Sequence, residues 1–288
     1  MIISVASGKG GTGKTTIALN LALSIEDEVQ LLDCDVEEPN AHIFLKVQLK
    51  QRDLITTPIP KINEERCTLC GVCQGICAYH AIIIVKDKVL VFPELCHSCG
   101  GCSLLCPENA IAEINKEIGY IDIGDSGGIS FIQGTLNIGE AMPTPLIKAV
   151  KRNLDPSKIV IIDSPPGTSC PVVESVRGSD FCILVTEPTP FGLNDLILAV
   201  DLLRELNIPF GAVINKADIG SDEVENYCKS EGIPILMKIP FKREIAEAYS
   251  KGIPLVEAFP DYRENFKNLF NTIKQLIITA AQEASNKI

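Results

Sequence analysis

The amino-acid sequence predicts an α/β protein, a parallel sheet flanked by helices and interrupted by a small cysteine-rich α+β unit. Three observations carry that expectation. Apolar runs such as Ile2–Ala6, Ile159–Ile162 and Phe181–Val185 are continuous, not alternating, as in strands buried on both faces of a parallel sheet. A glycine-rich stretch separates the first of these runs from an amphipathic segment, Thr16–Ser24. Eight of the 12 cysteines crowd between Cys67 and Cys106, in two runs of one spacing.

Taken in order, residues 1–58 read as strand, loop, helix and strand, ending with Val29–Asp33. The α/β pattern resumes near residue 120, with strands at Ile159–Ile162, Phe181–Val185, Phe210–Ile214 and Ile235–Ile239 and a helix over Leu193–Leu206. Residues 59–118 differ in composition, with Pro58 and Pro60 at their start and Gly119 at their end, and are expected to form an inserted domain. Residues 1–58 and 119–288 then make up the larger domain. Inside the insert, Cys67–Ile82 repeats as Cys96–Ile111, 29 residues later, which predicts a pseudo-twofold unit. So short a unit buries little apolar area and would depend on inorganic centres for stability. Near the C-terminus Phe266, Leu269, Phe270, Ile273, Leu276, Ile277 and Ala280 recur at helical spacing. The polar face of that helix has no basic cluster, so it is expected to pack on the sheet and not on a membrane.

Composition narrows the function. The chain has 288 residues, 46% of them hydrophobic, and a formal net charge of −11, which argues against nucleic acid as a partner. It has no Trp and five Tyr, a poor supply for stacking bases. No apolar run reaches the roughly 20 residues of a membrane span, and strand-like Ile2–Ala6 follows Met1 directly, so a cytoplasmic location is expected. In that reducing compartment the cysteines read as metal ligands or buried thiols, not disulfides.

The two runs are Cys67-x2-Cys70-x2-Cys73-x3-Cys77 and Cys96-x2-Cys99-x2-Cys102-x3-Cys106, the second followed by Pro107. This is the spacing of a pair of iron–sulfur clusters. Thiolates at every third residue let a tight loop wrap three corners of a cubane, and Gly71, Gly75, Gly100 and Gly101 permit close backbone approach. A zinc knuckle is content with four ligands, so two complete runs fit cubanes better. The runs resemble bacterial two-cluster ferredoxins, with Ala78 where that family has proline. By that resemblance one [4Fe-4S] cluster takes Cys67, Cys70, Cys73 and Cys106, and the other takes Cys96, Cys99, Cys102 and Cys77. His80 and His97 flank the runs and are read as surface or supporting residues, since eight thiolates already satisfy two cubanes.

Gly8-Lys9-Gly10-Gly11-Thr12-Gly13-Lys14-Thr15 satisfies G-x-x-x-x-G-K-[ST] between a strand and a helix. Its N–H groups would cradle phosphates, with Lys14 on the β- and γ-phosphates, Thr15 on Mg²⁺ and Thr16 on the α-phosphate. With Lys9-Gly10-Gly11, the loop resembles the deviant Walker A loop of the MinD, ParA, Mrp and nitrogenase iron protein superfamily. The resemblance covers the chain outside the insert and implies a parallel-sheet, Mg²⁺-dependent P-loop ATPase that works as a homodimer. It implies that Lys9 reaches the nucleotide of the second subunit, and that Leu31–Asp35 and Ile159–Gly167 are switch I and the Walker B and switch II segment. Asp35 would then position or deprotonate the attacking water, and Asp163 would hold Mg²⁺ through a water. Such placement and charge neutralisation is what phosphoryl transfer requires. The resemblance also places Asn215 on the adenine and Pro240 near its ring. Asn215-Lys216-Ala217-Asp218 equally satisfies the guanine-reading Asn-Lys-x-Asp motif, so GTP stands open beside ATP. Cys34 reads as a buried small hydrophobe. Cys170 lies in the switch II region, where the nitrogenase iron protein has one of two cysteines for a shared cluster. No second cysteine occurs between residues 107 and 169.

These readings lead to an ATP-hydrolysing dimer that couples nucleotide state to electron transfer through its own pair of [4Fe-4S] clusters, toward an unidentified redox or cofactor-assembly protein. One alternative is an iron–sulfur or metallocofactor assembly or carrier ATPase. Another is a MinD- or ParA-like positioning ATPase whose insert is a redox sensor.

Overall fold

The computed structural model describes residues 1–285. In chain order its strands are β1 (Ile2–Ala6), β2 (Val29–Asp33), β3 (Gln48–Ile62), β4 (Ile82–Val85), β5 (Lys88–Val91), β6 (Ile111–Ser126), β7 (Ile129–Leu136), β8 (Ile159–Asp163), β9 (Phe181–Thr186), β10 (Phe210–Asn215) and β11 (Ile235–Ile239). The helices are α1 (Lys14–Ala22), α2 (Ala41–Leu45), α3 (Val72–Ile76), α4 (Gly101–Leu104), α5 (Thr144–Lys151), α6 (Cys170–Val176), α7 (Pro190–Glu205), α8 (Glu223–Ser230), α9 (Arg243–Ser250), α10 (Leu255–Ala258) and α11 (Asp261–Ser285).

Among the described residues the main sheet has nine strands, ordered β11-β10-β9-β1-β8-β2-β7-β6-β3. From β11 to β7 every pairing is parallel. The wing beyond is antiparallel, β7 to β6 and β6 to β3, so the sheet is mostly and not wholly parallel. A tight turn explains the switch: Gly127 and Gly128 both take positive φ, which lets β6 double back directly into β7. Along β1 and β8, side chains alternate between two cores. Ile3, Val5 and Ile161 face α1 and α11, while Ala6, Val160 and Ile162 face the helices of the opposite layer. Phe266, Leu269, Phe270 and Ile273 of α11 are buried in the first core, so its apolar face is covered by the body. No described helix is long and apolar enough to cross a membrane.

Two helices start earlier than their apolar periodicity indicates. Gly13, at φ +97°, makes the turn into α1, which therefore begins at Lys14. Pro190 occupies the first turn of α7, and the Thr189 hydroxyl accepts the Gly192 N–H at 3.0 Å.

The cysteine-rich segment grows out of the sheet on two long strands. β3 and β6 pair from Gln48↔Asp125 to Ile62↔Ile111, whereas β7 accompanies β6 only as far as Gly119↔Leu136. Past that point residues 56–62 and 111–117 form a two-stranded ribbon, with a register shift at Ile55/Thr56 marking its root. Pro58 and Pro60 do not end β3. They stand inside it, which is tolerated because β3 is an edge strand. Helix α5 seats tightly on the root: a Cβ on Gly119 would meet the Thr135 carbonyl oxygen at 2.3 Å and Leu146 Cδ2 at 3.0 Å.

Lys151 at the end of α5 fastens that helix to α6. Its partly buried Nζ donates to the carbonyls of Glu174 (2.7 Å), Ser175 (2.9 Å) and Arg177 (2.7 Å), capping the α6 C-terminus. Lys151→Met keeps the stem and removes the donors. We expect a loss of about 2 kcal/mol in denaturant unfolding; an unchanged midpoint would show that water replaces the ammonium at no cost.

Candidate functional site

The glycine-rich loop leaves the C-terminal end of β1, at the centre of the sheet, where α/β folds place their ligand sites. Close packing dictates its glycines. A Cβ on Gly8 would meet the Asp195 carbonyl oxygen at 2.2 Å, and one on Gly13 would meet Asn215 Nδ2 at 2.6 Å. Asn215 Nδ2 also donates to the Thr12 carbonyl at 2.8 Å, bracing the loop from β10.

A cavity of about 400 Å³ opens above the loop. Gly10, Gly11, Gly13, Lys14, Thr15 and Thr16 form its floor, and Asp35, Asn215 and Pro240 stand on its walls. Gly8, Lys9, Thr12 and Asp163 are not on that surface. Thr12 and Asp163 lie buried behind it, and Lys9 turns away to an ion pair with Glu187. The Asn-Lys-x-Asp aspartate is occupied: Asp218 Oδ1 accepts the Phe241 N–H at 2.5 Å, tying the β10 and β11 loops together.

Three carboxylates cluster at this edge of the sheet, two of them, Asp35 and Asp163, facing the Lys14 charge. Asp33 and Asp163 are register partners at the ends of β2 and β8, both fully buried, and Asp35 follows in the loop. Burial drives all three upward. Asp35 rises to about 6, opposed by the Lys14 charge and reinforced by Glu38 and Glu37. Asp163 rises to about 7, with the Thr15 hydroxyl and Lys14 opposing. Asp33 moves well above the usual carboxylate range, pushed first by burial and then by the Asp163 charge. The Thr15 hydroxyl lies beside the Asp163 carboxylate, yet neither Asp163 oxygen makes a well-formed hydrogen bond to a protein group. A buried, unsatisfied carboxylate next to a threonine hydroxyl is a donor set for a hard divalent cation, so Thr15 and Asp163 fit Mg²⁺.

Asp33 has a role that its position at a strand end did not announce. Its Oδ1 accepts the Asp35 N–H at 3.2 Å, and its Oδ2 accepts those of Asn40 (3.2 Å) and Ala41 (3.1 Å). It thereby shapes the whole loop that carries Asp35. Cys34 is fully buried, its N–H bonded to the Asp163 carbonyl at 2.9 Å, and burial pushes its thiol up. Cys170 is exposed at the start of α6.

On the ribbon, the two cysteine runs share one backbone. Leu69, Gly71 and His80 take positive φ, and so do Ser98, Gly100 and Asn109, each 29 residues later. His80 is thus a turn residue, matched by Asn109 in the second half. Ala81 N–H donates to Cys77 Sγ at 3.2 Å and Ala110 N–H to Cys106 Sγ at 3.3 Å, again equivalent positions. Two hollows result. Cys67, Cys70, Cys73 and Cys106 line one, and Cys77, Cys96, Cys99 and Cys102 line the other. His97 lies on the wall of the second, its ring stacked 3.4 Å from that of Tyr79. Among the described residues no three His, Cys, Asp or Glu side chains converge at the spacing of a single metal ion. The thiols surround a volume, not a point.

The loop, its buried carboxylates and the parallel sheet coincide with a known family: residues 3–255 match the CobQ/CobB/MinD/ParA nucleotide binding domain. The chain belongs to that family. It is accordingly a P-loop ATPase. This CobQ/CobB/MinD/ParA-family chain is 34% identical to an uncharacterised protein of Methanocaldococcus jannaschii over 96% of its own length and 98% of the relative's. It is 27% identical to the iron-sulfur cluster carrier protein of Pyrococcus horikoshii, covering 94% of this chain and 87% of that one. In fold it is similar to the septum site-determining protein MinD complexed with Mg-ADP from Pyrococcus horikoshii. The TM-score is 0.58 at 21% identity, with 96% of each chain covered.

The raised carboxylates make stability depend on pH and ligand. In the ligand-free ATPase, Asp35 and Asp163 bind protons more tightly folded than unfolded, so their contribution is present at low pH and fades as pH rises through about 6 to 7. Bound Mg²⁺ and nucleotide favour the ionised forms and add stability at the upper end. The melting-temperature gap between Mg-nucleotide-loaded and ligand-free protein should widen from pH 5.5 to pH 7.5; a constant gap contradicts this electrostatic account.

Proposed function

We propose that the protein is an ATP-driven iron–sulfur carrier or assembly ATPase that holds clusters on its ribbon-borne cysteines. The observation that carries this reading is the grouping of eight thiols into two sets of four, each around one hollow, on an ATPase chain. The comparisons favour the assembly or carrier alternative over the electron-transfer expectation. Relatives at 26–27% identity from Pyrococcus and Aquifex are named iron-sulfur cluster carriers.

In this reading residues 59–118 act as a ferredoxin-like inserted domain. Cys67, Cys70, Cys73 and Cys106 hold one [4Fe-4S] cluster, and Cys96, Cys99, Cys102 and Cys77 hold the other. Two chains pair as a homodimer. Gly10, Gly11, Gly13, Lys14, Thr15 and Thr16 bind the phosphates, with Gly8 and Thr12 shaping the loop behind them, Lys14 stabilises charge on the transferred phosphoryl group, and Asp35 orients the attacking water. Thr15, and Asp163 through a water, would hold Mg²⁺, which would supply neutralisation of the phosphate charge. ATP is preferred to GTP because the Phe241 N–H already engages Asp218, the residue that would read guanine. Asn215 and Pro240 stand where they can border the adenine.

A second reading, electron transfer, is favoured by one observation. Both four-thiol sets are complete within one chain and receive backbone N–H donors, as suits retained clusters.

Anaerobic reconstitution followed by incubation with an apo-ferredoxin separates the two. We expect about eight iron atoms per chain and delivery of cluster to the acceptor in the presence of Mg-ATP. Lys14→Ala should lower ATP turnover by about 100-fold or more and remove the nucleotide dependence of delivery. Iron that stays on the chain while a redox acceptor is reduced favours electron transfer instead, and a chain that takes up no iron sinks both.

A further inference from the structure

Glu187 is the first residue after β9, and its carboxylate lies between two lysines from different loops. Its Oε2 is 3.6 Å from Lys9 Nζ, and its Oε1 is 2.6 Å from Lys216 Nζ. The Glu187 side chain is only 12% exposed, against 32% for Lys9 and 37% for Lys216. Its backbone has no freedom to follow them. The Glu187 carbonyl accepts the Thr189 N–H at 2.8 Å, and Gly192 packs so closely that a Cβ there would meet the same oxygen at 2.2 Å. Lys9 is fixed at its own end, because the Ser7 hydroxyl donates to its carbonyl at 2.6 Å. A tight turn therefore presents one shielded carboxylate to two ammonium groups, and Lys9 is drawn off the cavity that its neighbours Gly10 and Gly11 line.

An ammonium donates to carboxylate and phosphate oxygens alike, so Glu187 and a phosphate compete for Lys9. The pairing matters for where Lys9 points. We propose that Glu187 is a positioning residue for nucleotide hydrolysis: it holds Lys9 away from its own cavity in the nucleotide-free chain and yields it to the triphosphate of a second copy. The destination of Lys9 rests on the dimeric reading above; the holding does not. A triphosphate outcompetes one carboxylate for an ammonium, and a diphosphate competes less well, so the contact sets a threshold that Lys9 crosses on the stronger anion.

Amine acylation read by mass spectrometry tests the holding directly. In nucleotide-free protein, Glu187→Gln should raise acylation of Lys9 about 2–5-fold, the span of a partly exposed ion pair, measured against Lys86 in the β4–β5 turn. Glu187→Asp, which keeps the charge at shorter reach, should fall between and carries the test if the glutamine variant does not fold. ATPase activity plotted against protein concentration reads the release: Glu187→Gln should reach half-maximal rate at about 2–5-fold lower concentration, and Lys9→Ala should cancel that shift. Lys9 acylation that is the same in wild type and Glu187→Gln overturns the proposal. Raised acylation with activity independent of concentration in every variant upholds the holding role and sinks the two-chain reading.

Discussion

Burying carboxylates beside a lysine is the constraint around which this molecule is organised. Asp33 and Asp163 end adjacent strands in register, and Asp35 follows two residues on, so three acids crowd one desolvated site in which the Lys14 ammonium opposes the charge of Asp35 and Asp163. Such a cluster is electrostatically incomplete. The two unpartnered oxygens of Asp163 call for a cation, and the glycine loop beside them calls for an anion. A metal–polyphosphate complex supplies both. The central strands are placed accordingly, with β1, β8 and β2 side by side and the loop, Asp163 and Asp33 at the same edge.

The same elements lead physically toward the cysteines. The segment after Asp163 runs into α6, whose C-terminal carbonyls are gathered by Lys151 of α5. Helix α5 in turn rests on Gly119 and Gly134, where β6 and β7 part and the ribbon begins. The loop after Asp163 and the ribbon that carries eight thiols are thus joined by two helices and one clasp. Contact of this kind provides a route; coupling is a separate, measurable property.

Much of the site was legible in the sequence because its signals are local. The glycine loop, the paired cysteine runs and their 29-residue repeat depend on near neighbours, and the repeat reappears residue by residue in the left-handed positions Leu69 and Ser98, Gly71 and Gly100. What escaped is long-range. Strand β3 is largely exposed and polar and contains two prolines, so it offers no apolar run, and it exists because β6 pairs with it. Asp33 falls within the switch I segment Leu31–Asp35, and its three bonds to the following loop are visible only in the fold. Glu187, an acid directly after an apolar strand, carried a faint signal of the same type as Asp33 and Asp163. Its lysine partners are brought to it by separate loops.

If the ATP site and the cysteine ribbon act as one device, the bound nucleotide sets how readily iron leaves the thiols. The most direct measurement is the rate at which a chelator extracts iron from the anaerobically reconstituted protein, in Mg-ATP and in Mg-ADP, for wild type and Lys14→Ala. Coupling requires a several-fold difference between the two nucleotides in the wild type and none in the variant. Equal rates in both nucleotides, from wild-type protein shown to bind each, would contradict it.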